Sequence, residues 1–168
     1  MKFVFTGPES SGKSSVSKAV AAYFKAQWFP EYAREYLMKK QGKHTLEDIT
    51  TIALEQEKSR NFQQQEGMKI YDTGAVVLYI WSMFKYGTCS EEIEELMNKK
   101  NFDHYFLCNP KNVPWENDPL REHPQQREEL FEMYLSQLKE LNVAFTILEG
   151  TFEERVKKAV QTIENLKI

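Results

Sequence analysis

Between Gly7 and Ser14 the chain reads Gly-Pro-Glu-Ser-Ser-Gly-Lys-Ser, and this octapeptide limits the possible folds more than any other stretch. Glycines at its first and sixth positions let backbone N–H groups turn toward one centre with no Cβ in the way. A lysine and a hydroxyl follow at once, giving the spacing G-x-x-x-x-G-K-[ST] of a loop that cradles a polyphosphate. Such a loop needs a strand before it and a helix after it. Residues 2–6 form a short apolar run, and Val16, Ala19, Val20, Tyr23 and Phe24 recur at helical spacing between Lys13 and about Lys25. That helix would add its positive N-terminal end to the site. Gly7, Glu9, Ser10, Ser11, Gly12, Lys13, Ser14 and Ser15 are therefore the expected residues around the phosphates of ATP or GTP. Lys13 would reach the β- and γ-phosphates, and the Ser14 hydroxyl would hold Mg²⁺.

The remaining elements follow from the same reading. Short apolar strands are expected at Trp28-Phe29, Lys69–Asp72, Tyr105–Cys108 and Val143–Leu148. Helices are expected over 31–41, 46–66, 76–86, 125–141 and 152–166, with another from Ser90 to about Lys100. Thr45 and Asp48 open the second of these in a capping-box pattern, the glutamine-rich stretch from Asn61 to Glu66 ends it before Gly67, and Gly87 closes the 76–86 helix. Strands that alternate with helices and are unbroken apolar runs indicate a parallel sheet covered on both faces. The expected architecture is a three-layer α/β fold with about five mostly parallel strands. All 168 residues are read as one domain, with a mobile lid at about 110–124.

Charge and composition narrow the partners. The net charge is −3 and the pI about 5.7, without the basic stripe of a nucleic-acid binder. Arg155, Lys157 and Lys158 are balanced by Glu149, Glu153 and Glu154 and read as a solvated helix face. Cys89 and Cys108 lie far apart without clustered histidines, so neither a disulfide nor a zinc site is expected, and a reducing cytoplasmic setting is. The N-terminal apolar run is too short for a signal peptide or a membrane span.

A loop that binds nucleotide also needs a carboxylate on the metal side and, for group transfer, an acceptor site. Asp72 closes the third strand, where it could support the metal or instead cap the helix that follows. Glu31 follows the second strand at the carboxyl edge of the sheet, where open α/β sheets bind ligands. With Arg34 and Glu35 it could hold and deprotonate an alcohol; its alternative role is a first-turn acid at a helix start. In the lid, Arg121 and Arg127 are expected to stabilise charge on a transferring phosphoryl group, and Trp115 to cover the site. His123 reads as a structural loop residue, and Tyr79, Trp81 and Phe84 as core.

Taken in order, Gly7–Ser14, Pro30-Glu31-Tyr32-Ala33-Arg34-Glu35-Tyr36, Tyr71-Asp72-Thr73, and Val113-Pro114-Trp115 with Asp118 and Leu120-Arg121 resemble the ribosylnicotinamide kinase domain of NadR-type proteins. The resemblance runs over essentially the whole chain. It implies a nucleoside-kinase-like fold and ATP- and Mg²⁺-dependent phosphorylation of the 5′-hydroxyl of nicotinamide riboside to nicotinamide mononucleotide. It also implies that Glu31, Tyr32, Arg34 and Asp72 face the acceptor and that Trp115 and Asp118 belong to the lid above it. Either Glu31 or Asp72 would take the hydroxyl proton. In relatives this domain is often fused to an adenylyltransferase, and here a separate adenylyltransferase is expected to carry the next step. One departure stands out: the family often has Asp-Thr-Asp where this chain has Asp72-Thr73-Gly74. Two other readings remain open, a kinase of another nucleoside or small alcohol and a non-catalytic ATP-binding regulatory protein.

Overall fold

The computed structural model describes residues 1–62 and 66–167. Strands β1 (Lys2–Thr6), β2 (Gln27–Phe29), β3 (Lys69–Asp72), β4 (His104–Cys108) and β5 (Phe145–Leu148) form one sheet in the order β2-β3-β1-β4-β5. Every pairing is parallel. Parallel neighbours need crossovers, and helices α1 (Lys13–Phe24), α2 (Tyr32–Lys39), α3 (Leu46–Phe62), α4 (Ala75–Tyr86), α5 (Glu91–Asn98), α6 (Arg127–Glu140) and α7 (Phe152–Leu166) supply them. The expected glutamine-rich continuation of α3 over 63–65 lies outside the described residues.

The strand centres are apolar because both faces of the sheet are covered. Along β1, Phe3 and Phe5 point to one side and Val4 to the other, the alternation of a pleated strand. Phe3 and Phe5 join Phe106, Val16, Val20, Ala159 and Ile163 beneath α1 and α7. Val4 joins Tyr71, Tyr105, Leu107, Ile80 and Leu138 beneath α4 and α6. A third cluster, with Ala33, Ile49, Ile52, Leu78 and Ile93, holds α2, α3, α4 and α5 together at the side.

The helix boundaries follow local chemistry. Thr45 and Asp48 bond reciprocally at the start of α3, as their spacing predicts: the Thr45 N–H donates to the Asp48 carboxylate at 2.9 Å, and the Asp48 N–H to the Thr45 hydroxyl at 3.3 Å. Gly87 ends α4 in the left-handed region (φ 70°). Ser90 occupies the position before α5, but its hydroxyl does not cap that helix; it accepts a bond from the Thr50 hydroxyl at 2.9 Å and ties α5 to α3.

Because all strands run the same way, the loops that follow them gather at one edge of the sheet. There Gly7 leaves β1 with φ 132°, and a Cβ on it would stand 2.6 Å from the Cys108 carbonyl oxygen of β4. Gly7→Ala is therefore expected to cost about 2–3 kcal/mol of stability, through backbone strain and collision with a main-chain atom that cannot move aside. Chemical denaturation of the two proteins measures it; equal midpoints would mean the loop is looser than its geometry implies.

Candidate active site

The loop from Gly7 to Gly12 carries the turn from β1 into α1, and Gly12 enters the helix in the left-handed region (φ 81°). The Lys13 ammonium group folds back onto the Pro8 carbonyl at 2.8 Å, within the loop it would serve. Asp72 ends β3 directly beside Phe5 of β1, which brings its carboxylate to the start of α1. It is 2% exposed, its Oδ1 has no hydrogen-bond partner, and the Ser14 and Thr73 hydroxyls favour its charged form. Burial raises the Asp72 pKa; the Ser14 hydroxyl and the charges of Lys13 and Arg60 oppose the rise. A buried carboxylate with a free oxygen beside a hydroxyl fits Mg²⁺, which takes one or two protein oxygens and completes its shell with phosphate and water. No cluster of three or more potential metal-binding side chains exists among the described residues, so this pair would act together with a nucleotide.

Opposite the loop, Glu31 precedes α2 and faces the same cleft. Desolvation raises its pKa, and the negative charge of Asp72 raises it further, against the pull of Lys13 and Arg34. Such a carboxylate accepts a proton more readily than an ordinary glutamate. The cleft measures about 460 Å³ and is lined by the phosphate loop together with Trp28, Glu31, Trp81, Phe84 and Tyr134. That volume and mixture suit a small organic ligand.

Residues 113–123 lie over this cleft. Arg34 of α2 donates to Asp118 at 2.6 Å, and Lys85 of α4 to Glu122 at 2.7 Å. From the loop side, Glu9 accepts the backbone N–H groups of Glu122 and His123 at 3.1 and 3.2 Å. Arg121 donates to the Ser10 hydroxyl at 2.6 Å. The segment is thus fastened to both walls, as a lid is.

This geometry invites comparison with known proteins. The sequence model of the family described as an AAA domain matches residues 2–155. The chain belongs to that family. A curated relative, the trifunctional NAD biosynthesis/regulator protein NadR of Salmonella typhimurium, is 25% identical over 169 residues, which take in 95% of this chain and 41% of the relative. A solved NadR in complex with NR superposes with a TM-score of 0.80 at 17% identity, over 98% of this chain and 50% of that one. Deoxyadenosine kinase from M. mycoides, solved with its products, gives a TM-score of 0.67 at 14% identity, over 99% of this chain and 100% of that one. The chain spans half or less of the NadR proteins it matches. The fold is that of P-loop nucleoside kinases, and the NadR-type likeness read from the motifs is borne out at the level of family and fold.

Within this AAA domain the expected site residues divide. Gly7, Glu9, Ser10, Ser11, Gly12, Lys13, Ser14, Ser15, Glu31, Arg34, Asp72, Asp118 and Arg121 all line the cleft. Tyr32 does not: its ring packs beside Tyr36 in the side cluster. Glu35 turns outward to Lys39 at 2.7 Å. Trp115 is also off the cleft, near the Arg127 guanidinium. Arg127 opens α6 and donates through Nη1 to the carbonyls of Ser10 and Val113, at 3.0 and 2.9 Å, from outside the cleft. Asp72 is not the cap of α4, since Gly74 takes that position. Trp81, Phe84 and His123 line the cleft instead of serving only as core or loop. Helical spacing marks a buried stripe but not which part of the stripe faces a cavity.

Two arginines with structural duties escaped the sequence. Arg155 is no part of a solvated face; it is 2% exposed and donates to the Ser11, Gly150 and Lys111 carbonyls. Arg60 of α3 is buried as well, donates to the Thr73 carbonyl, and lies 4.8 Å from the Tyr71 ring. Burial pushes its pKa down to about 10, so it stays charged at neutral pH. It braces Thr73, whose φ of 81° is unusual for a β-branched residue.

Gly74 has an extended backbone (φ −144°), so nothing in its conformation demands glycine. A Cβ there would meet Val4 Cγ2 at 3.1 Å and Phe102 Cε2 at 3.3 Å, pointing into the packing beneath α4 and not into the cleft. The Asp-to-Gly departure therefore removes no group from this cleft. Gly74→Asp is expected to lower stability by about 1–3 kcal/mol and to leave turnover per folded molecule no higher. Thermal melts with parallel rate assays check both; a gain in turnover would place that carboxylate in the site after all.

Proposed function

We propose that the protein is a small-molecule kinase that transfers the γ-phosphoryl group of ATP to the 5′-hydroxyl of nicotinamide riboside. The observation that carries this reading is the Glu31 carboxylate, which shares the cleft with Lys13 and Asp72 and has its pKa raised by burial and by Asp72. A base of raised pKa across from the phosphate loop, in a cleft with room for a small organic ligand, suits proton abstraction from an alcohol acceptor. Nicotinamide riboside adds a cationic ring to its alcohol. Glu9, Glu31 and the rings of Trp81 and Phe84 supply negative charge and aromatic surface for such a ring.

In this reading the loop N–H groups and Lys13 bind the triphosphate. Ser14 and Asp72 would hold Mg²⁺, which would supply charge neutralisation at the phosphates. Glu31 orients the acceptor hydroxyl and takes its proton as the phosphoryl group leaves ATP, so catalysis is mainly positioning and charge stabilisation. Arg121, released from Ser10, turns to the transferring group, while the lid at 110–124 excludes water. Arg34 and Asp118 join that lid to the acceptor wall. Residues 1–168 act as a kinase domain in the cytoplasm, and an adenylyltransferase would consume the product.

The test is ADP release with ATP·Mg²⁺ and a panel of nicotinamide riboside, deoxyadenosine, shikimate and no acceptor. Stimulation by nicotinamide riboside well above the acceptor-free rate supports the assignment. Stimulation by another alcohol alone keeps the kinase and moves the substrate. No stimulation by any acceptor, with ATP still bound, would favour a regulatory role.

A further inference from the structure

We infer that Arg127 and Arg155 are positioning residues that preset the phosphate loop, each by pinning one peptide plane from outside the cleft. The inference rests on the nucleotide-binding reading of that loop but not on the identity of the acceptor. Arg127 Nη1 donates to the Ser10 carbonyl at 3.0 Å, and Arg155 Nη1 to the Ser11 carbonyl at 3.0 Å. These are consecutive peptides, gripped from two different helices, α6 and α7. Neither arginine lines the cleft, whereas Ser10, Ser11 and Gly12 all do.

In a trans peptide the C=O of one residue and the N–H of the next point in opposite directions, and the described residues contain no cis bond. Drawing the Ser10 and Ser11 oxygens outward therefore turns the N–H groups of Ser11 and Gly12 inward. Neither N–H has an acceptor among the described residues. Two adjacent inward donors form an anion-binding concavity.

The loop needs this outside help. Ser10 and Gly12 both have positive φ (49° and 81°), and glycine lets the 11–12 peptide rotate at little steric cost. A rotated peptide would aim a carbonyl oxygen at the phosphates and repel them. Arg155 is well placed to prevent that because it is itself held firmly: Nε donates to Gly150 at 2.8 Å and Nη2 to Lys111 at 3.2 Å. Its guanidinium donates to three carbonyls and has no carboxylate partner in hydrogen-bond range among the described residues. Arg127 is anchored in turn by the Val113 carbonyl at 2.9 Å. The two arginines thus also tie the loop to the start of the lid segment, at Lys111 and Val113.

The experiment is a tripolyphosphate titration of ¹⁵N-labelled protein with Mg²⁺, comparing the wild type with Arg127→Met and Arg155→Met. In the wild type the Ser11 and Gly12 amide resonances are expected to move together on binding. Arg155→Met should weaken binding about tenfold and shrink the Gly12 displacement while Ser11 still responds. Arg127→Met should weaken binding similarly and affect Ser11 instead. Should Arg155→Met fail to fold, Arg155→Lys, with donors for only part of the set, should bind with intermediate affinity and show a reduced Gly12 displacement. Folded variants with wild-type affinity and wild-type displacements at both amides would overturn the inference and leave the nucleotide reading intact. A wild-type protein that binds neither tripolyphosphate nor ATP would sink the nucleotide reading and the inference with it.

Discussion

Replacing Lys13 by alanine is expected to lower kcat/KM for phosphoryl transfer by about 10³-fold or more, with the fold intact. Lys13 carries the one ammonium group that lines the cleft among the described residues, and it is the counter-charge to both Glu31 and Asp72. Without it the charge that accumulates on the phosphoryl oxygens loses a cation within the phosphate loop itself. The structural loss is small by comparison: one hydrogen bond to the Pro8 carbonyl, worth about 0.5–1.5 kcal/mol. A second consequence follows from the same charges. Lys13 opposes the rise in both carboxylate pKa values, so its removal moves any remaining acid limb of the rate profile to higher pH. Steady-state kinetics with a melting curve on the same sample decides it, and near-normal turnover in a folded variant would refute the site.

Glu31→Gln is expected to reduce kcat by about 10²–10⁴-fold and yet to yield a more stable protein at neutral pH. The carboxylate is raised above its ordinary value of 4.5 by desolvation and by Asp72. Between that value and the raised one, the folded state binds more protons than the unfolded chain, so stability falls as pH rises through the window. Neutral pH lies above the ordinary value, so that cost is present there, and glutamine removes it. The stabilisation should fade as pH falls to the ordinary glutamate range, where the wild-type group is protonated in both states. Activity has the opposite requirement, because the base must be ionised to take a proton. The acid limb of the wild-type kcat/KM profile should therefore lie above the ordinary glutamate pKa and be absent from the variant. A Glu31→Gln protein less stable than wild type at neutral pH would show that the side chain is held by partners instead of strained by burial.

The parts of this molecule that were legible in the sequence are those whose physics is local. A glycine-spaced loop needs a strand before it and a helix after it, and β1 and α1 supply them with nearly the expected bounds. Apolar runs at Trp28-Phe29, Lys69–Asp72 and Tyr105–Cys108 became central or flanking strands because a doubly covered sheet has no polar face to mark. The errors share a different cause. Arg155 sits among glutamates in sequence, and local charge balance suggested a solvated face. In the fold Glu154 is occupied in capping α7 with Thr151, and Arg155 turns the other way, into the phosphate loop. Beyond the nearby Gly150, its partners are the carbonyls of Ser11 and Lys111, far away along the chain, which no spacing rule could reveal. Tyr32 and Glu35 follow the same pattern in reverse: they lie within a motif, but the helical turn of α2 points them away from the cleft that Glu31 and Arg34 line.

The central claim is that the γ-phosphoryl group goes to an alcohol held opposite the loop, and product identity tests it most directly. Nicotinamide riboside should be incubated with ATP·Mg²⁺ and enzyme, and the phosphorylated product and free inorganic phosphate measured together by mass and ³¹P resonance. The account predicts nicotinamide mononucleotide in stoichiometric balance with ADP, with little inorganic phosphate released. ADP matched by inorganic phosphate, with the riboside untouched, would contradict it.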